Sequence, residues 1–92
     1  MTYEEFLALD VEQAGSLSAP LAALALDRAG RWDAAHERAS EAESPETNRV
    51  HAYLHRKEGD VANAGYWYGR VGEPMPEYSL DEEWSALVRR FL

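Results

Sequence analysis

Apolar residues recur along this chain at three- and four-residue spacings, and no stretch alternates as a half-buried strand does. The pattern predicts six helices. The first opens at Thr2, which forms a capping box with Glu5, and carries Tyr3, Phe6, Leu7, Asp10, Val11 and Ala14 on one side until Gly15-Ser16 breaks it. Ser18 is a cap for the second, which tolerates Pro20 in its first turn, shows the stripe Leu21, Leu24 and Ala25, and ends at Gly30. The third runs from Trp32 to Glu43, with Trp32, Ala35, His36 and Ala39 on one face. Ser44-Pro45 is the sharpest boundary: the serine can cap, the proline fits the first helical position, and Glu46 complements the positive helix end. Helix four continues to Glu58 and presents Val50, Tyr53, Leu54 and Lys57, with His51 and His55 adjacent. Gly59 closes it, and Asp60 caps helix five, whose inner residues are Val61, Ala64, Trp67, Tyr68 and Val71. After the break at Gly72–Pro76, Ser79 and Glu82 open a last helix with Trp84, Leu87, Val88 and Phe91 on one face.

One register occurs twice. Residues Leu26–Ala35 are echoed by His55–Ala64, with 29 residues between Gly30 and Gly59. A glycine closing one helix, a polar opening and an alanine-rich stretch predict two successive helical hairpins. Ala34, Ala35 and Ala39, then Ala62, Ala64, Gly65 and Gly69, are small enough for close helix approach, and Gly65 and Gly69 are expected at such contacts because each costs helix propensity.

The stretch Ala52–Tyr68 resembles a tetratricopeptide repeat, through Gly59, Asp60, Ala64 and Tyr68. Ala25–Ala39 is a poorer match through Trp32, Ala35 and Ala39, and the spacing is 29 residues where that family uses about 34. The Ala34–His36, His51–Asp60 and Tyr66–Tyr68 segments are also similar to those of a family of small uncharacterised bacterial helical proteins. These resemblances imply an all-α fold: a compact right-handed stack of helical hairpins, TPR-like over about residues 18–72, with a capping helix at about 80–92. The expectation is a single helical domain, closed rather than a long solenoid.

Composition narrows the chemistry. Ninety-two residues suffice for one small domain, and ten aromatic residues argue against disorder. The absence of cysteine removes disulfides, thiol catalysis and thiolate zinc sites. The net charge of −8 is uneven: −7 over residues 1–48, +2 over 49–72 and −3 over 73–92. So acidic a chain is a poor nucleic-acid binder. Its basic middle suits a solvated face or an acidic patch of a neighbouring subunit. The start is acidic, with no leader pattern, and Leu17–Leu26 is too short to cross a bilayer, which needs roughly 20 apolar residues. A soluble cytoplasmic protein is expected.

Candidate chemistry centres on the three histidines. His51 and His55 share one side of helix four, and His36 lies on the preceding helix, which can fold back against it. Three imidazoles match the ligand count of a zinc site with an open fourth position, though no HExxH pattern supplies a base. The residue pattern by itself favours ordinary core or boundary roles for them. Glu58 and Asp60 fit a helix end and cap better than a ligand set. Tyr66 and Arg70 fall on the outer edge of helix five, and Glu82-Glu83 read as solvated acids at a helix start. No phosphate loop, nucleophile elbow or acidic metal motif is present, so no catalytic or cofactor-binding residue is assigned. The leading expectation is a protein-interaction or assembly module, binding a protein partner or itself through His51, His55, Arg56, Tyr66 and Arg70. The alternative is a metal- or small-molecule-binding enzyme using a divalent ion on His36, His51 and His55.

Overall fold

Two glycines with left-handed backbone, Gly30 (φ 80°) and Gly59 (φ 90°), end helices where a side chain would be strained. The computed structural model describes residues 1–92, as α1 (Tyr3–Leu7), a 3₁₀ helix (Val11–Ser16), α2 (Ala19–Arg28), α3 (Trp32–Ser40), α4 (Pro45–Glu58), α5 (Val61–Val71) and α6 (Leu80–Phe91). Neighbours pack as pairs, α2 on α3 and α4 on α5. The first pair meets the second through α3 and α4, and α6 lies against α2 and α4. The chain is therefore an all-α globule of seven helical segments.

Caps explain most boundaries. Thr2 and Glu5 exchange hydrogen bonds with each other's backbone, Ser44 does the same with Thr47, and Asp60 accepts from the Asn63 amide. The core joins Leu24, Val50, Leu54, Leu87, Val88 and Trp84, whose indole N–H donates to the Leu24 carbonyl at 2.9 Å. A smaller cluster of Ala52, Ala64 and Tyr68 seals α4 against α5.

Several expectations are corrected. The first helix is not continuous over residues 3–14: the Asp10 carboxylate accepts from the Glu12 amide at 3.0 Å and starts a separate 3₁₀ turn. The third helix stops at Ser40, before Glu43. Ser40 bonds back to the His36 carbonyl at 2.7 Å, and Thr47 reaches the Ala42 carbonyl at 2.8 Å, shaping the turn into α4. Ser18 stands at the start of α2 but makes no capping hydrogen bond. Val61 is exposed, because α5 buries only Ala64 and Tyr68 fully.

Gly65 and Gly69 do not mark close packing. A methyl group at either would meet nothing within 4 Å. Alanine at each position is therefore expected to raise stability by about 0.5–1 kcal/mol, read from urea unfolding, through helix propensity alone. A loss at either site would contradict the open surface there.

Glu83 is not solvated either. It is fully buried, taking Arg49 at 2.8 Å, Arg56 at 2.7 Å and the Tyr68 hydroxyl. Asp27 is likewise buried and receives the Tyr53 hydroxyl at 2.6 Å and the Lys57 ammonium at 2.8 Å. The basic residues of α4 are thus neutralised by acids from α2, α6 and, through Glu73 on Arg49, the segment after α5.

Candidate metal centre

The i, i+4 spacing of His51 and His55 stacks their rings on one face of α4, with centroids 4.8 Å apart. At that face α3 packs against α4. His36 then meets His51 at 4.5 Å and His55 at 5.0 Å, both edge to face. One potential ligand nitrogen from each ring lies within 4.8 Å of the others. Three nitrogens around one zinc ion are about 3.4 Å apart, so modest side-chain rotation closes the set.

Two tryptophans hold the rings. Trp32 stacks on His36 at 5.0 Å and 12°, and its indole N–H is tied to the Leu54 carbonyl at 2.9 Å. Trp67 of α5 stacks on His51 at 4.1 Å and 12°. Stacking restrains the ring faces while leaving the nitrogens at the ring edges. No polar side-chain atom is buried without a hydrogen-bond partner, and neither His36 nor His51 hydrogen-bonds to the protein through its ring. Their nitrogens must therefore border open space.

The third ring is oriented differently. His55 Nδ1 is 2.7 Å from Glu58 Oε1. A carboxylate oxygen accepts, so the contact favours the tautomer with the proton on Nδ1, which leaves Nε2 as the ring's lone pair. Burial, reinforced by the neighbouring histidines, pushes His51 down to about 4, and burial with the nearby His55 lowers His36 as well. Burial thus favours the unprotonated imidazole at His36 and His51, the form that ligates metal.

Glu58 and Asp60 also lie close to His55. Asp60 Oδ1 is engaged by the Asn63 amide at 3.2 Å, its capping role, whereas Glu58 orients His55. Sequence reasoning missed that second role, although the three-residue spacing of His55 and Glu58 was the available signal. The direct stacking of Trp32 and Trp67 on histidine required the fold.

The five residues proposed as an interaction surface do not form one exposed face. His51 and His55 turn inward, and Arg56 is held by Glu83 and the Tyr78 carbonyl. Tyr66 is 58% exposed, and Arg70 lies beside Trp67 and pairs with Glu43. A separate pocket of about 180 Å³ between Phe6, Leu9, Val11 and Trp84 is apolar apart from Arg28 and has no ligating group. No helix is long and apolar enough to cross a membrane. No protein family, curated protein or solved structure is found to match the chain.

Proposed function

We propose that the chain binds one divalent transition-metal ion through His36, His51 and His55, zinc being the best fit to three neutral imidazoles, and leaves a fourth position for water or substrate. The observation that carries this reading is the convergence of three histidine nitrogens from two helices, with two rings lacking any protein hydrogen bond. Bound there, the ion would supply Lewis acidity and an acidified water. The protein's own contribution is to keep His51 neutral, to present Nε2 of His55 through Glu58, and to restrain His36 and His51 against tryptophan. The paired hairpins support a TPR-like arrangement as the scaffold. The segments behind the resemblance to small bacterial helical proteins are also those that supply the three histidines and Trp67.

Titration of metal-free protein with zinc at pH 7 is expected to saturate at one equivalent. His51→Ala and His36→Ala should each lose at least about 100-fold in affinity, and Glu58→Gln about 10–100-fold through misorientation of His55. Nickel should quench the emission of Trp32 and Trp67, which touch the histidines, more than that of Trp84 in the core. Absence of saturable zinc binding, or unchanged affinity in His51→Ala, would overturn the reading. An interaction role retains one supporting feature, the exposed Tyr66 beside Arg70 on α5.

A further inference from the structure

The histidine cluster does not end in a wall. His51 also lines a cleft of about 220 Å³ between the α3–α4 turn and α5, with Ser40, Glu43, Asn48, Trp67 and Arg70 around it. Helical spacing makes the cleft an extension of the site. Ser40 lies one turn beyond His36 on α3, Asn48 one turn before His51 on α4, and Arg70 one turn beyond Trp67 on α5. Each element that contributes a ring to the cluster thus also contributes a polar side chain to the cleft. Trp67 links the two regions: its ring is 4.1 Å from His51 and 5.2 Å from the Arg70 guanidinium carbon.

The charges in the cleft point to a ligand class. Arg70 is its only cation and Glu43 its only anion, and the two are paired at its mouth. Both are substantially exposed, at 41% and 60% of their side chains, so the pair is screened and exchangeable. An incoming carboxylate or phosphate presents the same two-oxygen face to a guanidinium as Glu43 does. Asn48 lines the same cleft as Arg70 and His51, and its amide N–H can donate to an oxygen on the same molecule.

We propose that this cleft admits the ligand of the metal site, and that it selects small molecules with an oxyanion at one end. Arg70 exchanges Glu43 for that oxyanion while the other end of the molecule reaches the ion. The proposal rests on the metal-binding reading of His36, His51 and His55. Glu43 is then a competitor that keeps the guanidinium occupied between ligands, so its removal favours binding. That sign separates this role from a structural one, in which loss of either partner would only loosen the α3–α4 turn.

The test uses the full chain loaded with one equivalent of zinc. Succinate, with a second carboxylate, and glycerol 1-phosphate are titrated calorimetrically, with acetate as the single-headed control. One or both of the longer anions should bind more tightly than acetate, and the tighter of them identifies carboxylate or phosphate as the preferred head. Arg70→Gln should weaken the longer anions at least tenfold and leave zinc affinity unchanged. Glu43→Gln should strengthen them several-fold. Both substitutions are on the surface, and unchanged circular dichroism and melting temperature verify the fold. If zinc binds normally but the longer anions bind no better than acetate, or Arg70→Gln binds them as wild type does, the cleft assignment is overturned while the metal site stands. If zinc itself fails to bind, both fall.

Discussion

Glu83→Ala is expected to destabilise the protein by about 3–5 kcal/mol, the loss typical when one partner of a buried ion pair is removed. The carboxylate is fully buried and receives two guanidinium groups and a phenol from three different points of the chain. Alanine would leave the Arg49 guanidinium with Glu73 alone and strand the Tyr68 hydroxyl against a void. A domain of this length is stable by about 5–14 kcal/mol in total, so the substitution removes a large share of the margin. Glu83→Gln, which keeps the shape and some hydrogen bonds but not the charge, should fall between wild type and alanine. Urea unfolding measures all three, and a loss below about 1 kcal/mol for alanine would show that the network contributes little.

Acidification should destabilise the metal-free protein between pH 6.5 and about pH 4. His51 has its folded value near 4, against an ordinary 6.5. In that interval the unfolded chain binds a proton that the folded chain refuses, so stability rises with pH and is lost as pH falls. The difference is on the order of 3 kcal/mol for this ring alone, which is 7% exposed. His36 acts in the same direction, since burial and the nearby His55 lower it too. Chemical unfolding at a series of pH values should therefore show a steep loss below pH 6.5, and His51→Gln should flatten it. A curve of the same steepness in that variant would remove His51 as the cause. Saturating zinc should raise stability most above pH 6.5, because protons compete for the ligand nitrogens below it.

Sequence alone reached the helices with strong local signals. Ser44-Pro45 and Gly59-Asp60 bound α4 where expected, because caps and a left-handed glycine act within one turn. It failed at α1 and at the end of α3, where Asp10 and Ser40 have local polar options that periodicity does not weigh. The pairing of His51 with His55 was equally legible, being a matter of helical spacing. Glu83 was misread for the opposite reason: next to Glu82 at a helix start it looks solvated, and only α4 and α5 folding over it bring Arg49, Arg56 and Tyr68 to its oxygens.

Helix order, caps and the histidine pair of α4 are consequences of contacts within a few residues, so the chain specifies them wherever it lies. The arrival of His36 and the stacking of Trp32 and Trp67 depend on how α3 and α5 pack on α4. Rotating α3 by one residue, about 100°, would turn His36 out of the cluster. Periodicity names a face but not what that face meets. The Gly30–Gly59 register made the meeting of helices possible, and side-chain packing across them determined that it is three imidazoles that meet.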